Sequence, residues 1–258
     1  MAIDHNGFIA LPETNKLQPE FRNIVAQVEA KLIQSFPELI HSLYLYGSVA
    51  EGRAKMGKSD LDMTVIFSVD PGEVAKVQLT EIQCKLEQNN PVVSKIDFDC
   101  GLLQQVIHPD NLLSWGYWLK HHCVCVYGED LSQRFQAFKP SKEIAVAVNG
   151  DFLPVLEKLI AQMQSSADEN KKLQLQRAAA RKAIRATNIL RSEHDKEWPE
   201  TLEEYRFTFN ARYPALAKEM DYLLTISNTP QGSIADFKRR VMAFGRWLNV
   251  TFHKGQGL

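Results

Sequence analysis

The sequence predicts an α+β fold in two parts, a sheet-bearing N-terminal domain over 1–140 and a helical domain over 141–258. Three observations predict it. In the first half, short apolar and aromatic runs bounded by glycine or proline alternate with segments of helical period. From Ala145 onward the apolar residues recur almost only at helical spacing. The change of texture falls at Lys139-Pro140, and no internal repeat or low-complexity tract blurs it.

Taken in order, Phe21, Ile24, Val25, Val28 and Leu32 have the i, i+3, i+4, i+7 spacing of a helix that Pro37 ends. Ser42 to Tyr46 reads as a strand running straight into Gly47-Ser48, a tight turn. Leu61 to Phe67 is a second strand. Pro71 suits a first helical position, and Val74 to Glu87 reads as a helix closed by Asn89-Asn90-Pro91. A third strand is predicted over Val92 to Leu103, a helix over Asn111 to His121, and a fourth strand over Cys123 to Tyr127, ending at Gly128. In the second part, helices are predicted around Val155 to Met163, Leu173 to Arg191, Glu203 to Phe209, Pro214 to Ile226 and Ile234 to Phe252.

The bulk numbers narrow the functional classes. With 45% hydrophobic and 24% charged residues, the 258-residue chain can bury a core without staples. Thirty basic and 31 acidic residues leave a net charge of -1, so any polyanion site must be a local patch. Cys84, Cys100, Cys123 and Cys125 match no zinc spacing and read as reduced, buried thiols. No basic stretch followed by an apolar one marks a signal peptide, and no apolar run approaches a membrane span. A cytoplasmic protein is expected.

The informative segment is Tyr46-Gly47-Ser48-Val49-Ala50-Glu51-Gly52-Arg53, followed by Ser59-Asp60-Leu61-Asp62-Met63. Alternation along a strand turns Asp60 and Asp62 to one face, ~6.6 Å apart along its axis, with Leu61 and Met63 turned into the core. Two such carboxylates repel unless a cation lies between them, and hard oxygen donors suit Mg²⁺ held jointly with substrate phosphates. A glycine after a strand lets backbone approach a ligand closely, and the serine hydroxyl with the following N–H groups can hold phosphate oxygens. Together these parts imply phosphoryl or nucleotidyl transfer. Arg53 and Ser59, in the same loop, join Gly47 and Ser48 as candidate nucleotide-binding residues.

Gly-Ser, eleven residues, then Asp-x-Asp resembles the signature of the DNA polymerase beta-like nucleotidyltransferase superfamily. The layout, with Val126-Tyr127-Gly128-Glu129-Asp130-Leu131 near the end of the first domain and helices after it, is most similar to aminoglycoside nucleotidyltransferases of the streptomycin/spectinomycin type. The resemblance implies a mixed sheet flanked by helices, two Mg²⁺ ions, ATP as donor and a third carboxylate on a neighbouring strand. In Lys95-Ile96-Asp97-Phe98-Asp99-Cys100, both Asp97 and Asp99 share one face and either fits; Asp97 is favoured for its central place in the apolar run. Asp60, Asp62 and Asp97 are thus the expected metal ligands, and Asp60, Asp62, Asp97 and Asp99 the catalytic set.

Such enzymes reach the triphosphate with a basic residue of the second domain. Arg177, Arg181 and Arg185 form one stripe, with Lys182 on a neighbouring face; Arg181 and Lys182 are the named candidates, and a solvated helix face is the alternative. Trp115, Tyr117 and Trp118 have two readings, core packing or a platform for a base or sugar. His108, His121 and His122 read as loop and helix-end residues. The expected acceptor is a small hydroxylated molecule such as an aminoglycoside, for which Asp195, Glu197, Glu200, Glu203 and Glu204 supply acidity. Transfer to tRNA or protein is the alternative, the former disfavoured by net charge. A non-catalytic nucleotide-binding regulator is a third reading, against which the intact aspartate pairs count.

Overall fold

In the computed structural model, which describes residues 3–255, chain contacts define two units. One is Ala10–Phe138; the other is Lys139 onward together with the segment up to Ile9.

The first unit opens with α1 (Pro19–Ser35), entered through Pro19 at a position whose N–H has no intrahelical acceptor to lose. Its buried residues are Phe21, Ile24, Val25, Val28 and Leu32, the predicted set. Next come β1 (Ile40–Tyr46), the one-turn α2 (Gly47–Ala50), β2 (Leu61–Phe67), α3 (Gly72–Asn89) and β3 (Ile96–Leu102). The short α4 (Leu103–Val106), a π-helical turn at Leu112–Gly116, α5 (Tyr117–His122) and β4 (Val124–Gly128) complete it. The sheet order is β3-β2-β1-β4. β1 runs antiparallel to both β2 and β4, and β2 runs parallel to β3, so the sheet is mixed.

Alternation gives the two faces different tasks. Leu43 and Leu45 of β1, Leu61, Met63 and Val65 of β2, and Ile96 of β3 pack with α1 and α3 in the larger core. Tyr44, Ile66, Val106, Leu119, Cys123 and Leu131 form a smaller core on the other face, with Trp115 and Trp118 at its margin. Buried His121 joins the two ends of the unit. The Phe138 N–H donates to its Nε2 (2.9 Å), which leaves Nδ1 to donate to the Ala10 carbonyl (3.0 Å).

The helical unit contains α6 (Lys142–Asn149), α7 (Phe152–Ser165), α8 (Glu169–Ala186), α9 (Leu202–Arg212), α10 (Ala217–Asn228) and α11 (Ile234–Lys254). Ala179, Ala180, Ala183 and Ala186 are fully buried along α8, and their small side chains let the other helices close around it. α9 starts in a capping box formed by Thr201 and Glu204. No helix among the described residues is long and apolar enough to cross a membrane.

Several elements differ from the sequence reading. β3 is shorter, because the chain turns through Pro91–Ser94 before pairing begins at Ile96. The helix expected over Asn111–His121 is present, but its first part is a π-helical turn over Leu112–Gly116 that continues into α5. Pro71 caps α3 rather than opening it. α8 stops at Ala186 and tightens into a 3-10 turn over Thr187–Leu190. Pro214 likewise sits in a 3-10 turn ahead of α10. α6 was not anticipated, its short apolar period being read as part of a change of texture. Cys123 is buried, Cys125 is half-buried, and Cys84 and Cys100 are exposed, so the expectation of buried thiols holds at only one of four positions.

Gly128 ends β4 with φ +80°, and a Cβ there would overlap the His41 carbonyl oxygen of β1. Gly128→Ala is therefore expected to destabilise the fold by about 2 kcal/mol or more, measured by denaturant unfolding.

Candidate active site

The carboxylates lie on the sheet face opposite α1 and α3. The register aligns Tyr46, Asp62 and Asp97 across β1, β2 and β3, with Tyr44, Thr64 and Asp99 as the next row inward. Side chains paired in this way project to the same face. Asp60 directly precedes β2, so it extends the line of Asp62 past the end of the strand.

Gly47 joins the loop to this row. Its φ is +71°, a region that side chains disfavour, and a Cβ there would stand 2.5 Å from Asp62 Oδ2. The turn that starts α2 is thus seated on the carboxylate. The first N–H groups of such a turn have no intrahelical acceptor and are therefore able to bind an anion.

The neighbours of each carboxylate are specific. The Ser94 hydroxyl donates to Asp60 Oδ1 (2.5 Å) and Lys95 pairs with Asp97. The Tyr46 hydroxyl donates to Asp99 Oδ2 (2.6 Å). Burial raises the pKa of the Tyr46 phenol, and the charges of Asp99, Asp62 and Asp97 push it further in the same direction. Three carboxylates thus bear on one hydroxyl, which stays a protonated donor across the working pH range. Trp118 meets the Tyr46 ring edge-on (4.8 Å) and its indole N–H donates to Thr64 Oγ1 (3.2 Å).

Among the described residues no three His, Cys, Asp or Glu side chains close into a metal cluster. The donor set of Asp60, Asp62 and Asp97 nevertheless fits Mg²⁺, an ion bound through one or two carboxylates with substrate phosphates supplying further oxygens. The cradle that a Gly47 Cβ would fill lies beside one of those carboxylates.

The other predicted residues are placed variously. Arg53 is exposed and paired with Glu51, while its backbone N–H donates to the Ser48 carbonyl (2.9 Å). The Ser59 hydroxyl accepts from the Lys55 N–H (2.9 Å), closing the loop between α2 and β2. Arg181 and Lys182 lie on α8 in the helical unit, where Lys182 pairs with Asp151 (2.7 Å). Tyr117 is buried and its hydroxyl bonds His122 (2.7 Å), so it is a core residue. Of the acidic residues proposed for a cationic acceptor, Asp195 pairs with Arg212 and Glu204 serves the α9 capping box. Sequence reasoning missed Tyr46, Ser94 and Lys95 as carboxylate partners. Lys95 stands two residues before Asp97, a spacing that puts both on one strand face and could have signalled the pair.

Residues 25–106 match the family model described as the nucleotidyltransferase domain, a stretch that runs from within α1 to the end of α4 and contains Asp60, Asp62, Asp97 and Asp99. Compared by sequence with curated proteins, the chain has no match. Among solved structures it is similar to the spectinomycin adenyltransferase AAD(9) from Enterococcus faecialis, crystallised with ATP and spectinomycin. That likeness has a TM-score of 0.54 at 15% sequence identity and covers 90% of this chain and 98% of the other, a likeness of fold. The resemblance to polymerase beta-like nucleotidyltransferases read from the motif is borne out.

Gly47→Ala is expected to lower nucleotidyl transfer by about a hundredfold or more, because it displaces the Asp62 carboxylate. Steady-state kinetics beside a thermal melt check it; an active Gly47→Ala enzyme would show that the close approach is dispensable.

Proposed function

We propose that this chain, which carries a nucleotidyltransferase domain, moves AMP from ATP to a hydroxyl of a small acceptor and releases pyrophosphate. The observation that carries the reading is the seating of Gly47 on Asp62, since it joins a phosphate-holding turn to a carboxylate row. A cytoplasmic location, where ATP is available, suits the reaction.

In this proposal Asp60, Asp62 and Asp97 hold Mg²⁺, while Gly47 and Ser48, with Arg53 and Ser59 supporting their loop, hold the nucleotide's phosphates. Bound Mg²⁺ supplies charge neutralisation on the phosphates and lowers the pKa of a coordinated hydroxyl. Asp97 or Asp99 accepts the acceptor hydroxyl's proton. That oxygen forms a bond to the α-phosphorus as the bond to the bridging oxygen breaks, and pyrophosphate leaves. Lys95 and Tyr46 hold the two candidate bases in place. Arg181 and Lys182 remain the proposed basic contribution of the helical unit, with Lys182 already committed to Asp151. An aminoglycoside is the first acceptor to test, supported by the overall likeness to an adenyltransferase that was crystallised with spectinomycin.

The test is pyrophosphate release with Mg²⁺ and ATP across a panel of aminoglycosides and bulk tRNA. Asp60→Ala and Asp62→Asn should each reduce release by about a thousandfold or more. Of Asp97→Asn and Asp99→Asn, the one with the larger fall in kcat marks the third carboxylate. Release with tRNA alone would move the acceptor to the macromolecular class. Metal-dependent ATP binding without release on any acceptor, undiminished in kind by Asp62→Asn, would replace the transferase with a nucleotide-binding regulator.

A further inference from the structure

Between α8 and α9, the helical unit contains a cluster of polar donors that the catalytic reading does not use. Arg191 follows the 3-10 turn after α8 and is only 3% exposed. Its guanidinium lies on the Trp198 ring, 4.8 Å from the centroid. Nη2 donates to the backbone carbonyls of Asp195 (2.6 Å) and Glu197 (3.1 Å). Nε and Nη1 are buried and have no hydrogen-bond partner among the described residues, and the same holds for Nδ2 of Asn188, a residue 8% exposed. Arg191, Asn188, Tyr205 and Arg212 line one cavity.

Each orphaned atom is a donor. Native interiors rarely leave such groups unpaired, because the water they give up is not replaced. Asp195 is the carboxylate that acts most strongly on Arg191, but it is already paired with Arg212. Arg191 and Arg212 thus share Asp195, with Glu143 a weaker counter-charge to Arg191. Burial lowers the pKa of Arg191, and the charge of Arg212 acts in the same direction. Arginine nevertheless keeps its proton in proteins, so Arg191 remains a cation with two unpaired donor atoms.

We propose that this cavity is a binding site for an oxyanion, the phosphoryl or carboxylate group of a small molecule, with Arg191 and Asn188 as its donors. Tyr205 flanks it with a hydroxyl that burial keeps protonated, its pKa raised to about 12. The site is built entirely from the helical unit and stands whether or not the catalytic reading does. Its oxyanion comes either from the nucleotide's phosphate tail or from a second small molecule, acceptor or effector.

The experiment titrates the full-length protein with inorganic phosphate and with acetate in magnesium-free buffer, by calorimetry and thermal shift. Arg191→Lys, Asn188→Ala and wild type are compared. Saturable binding of one anion to wild type is expected, weakened on the order of tenfold in each variant. Arg191→Lys keeps the charge but loses the planar fork. Asn188→Ala removes a single donor and leaves the Trp198 stack in place, so it decides the matter if the arginine variant does not fold. Displacement of the bound anion by ATP assigns the oxyanion to the nucleotide; simultaneous binding assigns it to a second small molecule. No saturable binding of either anion, or equal affinity in wild type and variants, overturns the proposal and leaves ordered water to satisfy the donors.

Discussion

The unit that bears the carboxylates depends on one missing atom. Asp62 can stand at the centre of the sheet face only because the residue after β1 has no side chain to displace it. That requirement fixes Gly47 in a conformation few other residues adopt, which in turn sets the direction in which α2 leaves the strand. The antiparallel pairing of β1 with β2 brings the turn and the carboxylate together, and the parallel pairing of β2 with β3 adds Asp97. Backbone geometry, rather than any single polar contact, therefore brings loop and acid groups together.

Much of this was legible in the sequence because strand alternation is rigid. Leu61 and Met63 read as core and are core, which forces Asp62 to the other face. The α1 pattern was equally clear, since five apolar residues at helical spacing leave no other face to bury. What stayed hidden depended on tertiary partners. Nothing local says that Tyr46 reaches Asp99 on a strand two places away in the sheet. The π-helical turn before Tyr117 lies in close packing: Gly116 lies against Leu112 and Phe135, and the Trp115 ring lies where a side chain on Gly101 would be. Cys84 and Cys100 show the same limit. Composition favours burial of a thiol, but the helix face or sheet position on which each one lands decides it.

The helical unit shows how counting charges misleads. Five acidic residues between Asp195 and Glu204 suggested a surface for cations. Asp195 is instead bound to Arg212, and Glu204 is consumed in starting α9. The Asp195 and Glu197 backbone carbonyls serve Arg191. The segment is organised around a buried arginine, and two of its five acidic side chains are already engaged within the unit.

His121 ties Ala10 to Phe138, the first and last residues of the unit that bears the carboxylates. The chain therefore enters and leaves that unit at a single stitched point. A module with adjoining termini can be cut from one gene and pasted into another without disturbing its interior, or have its ends joined and reopened elsewhere. The imidazole makes this sheet portable: its evolutionary history can be separate from that of the helices that now accompany it.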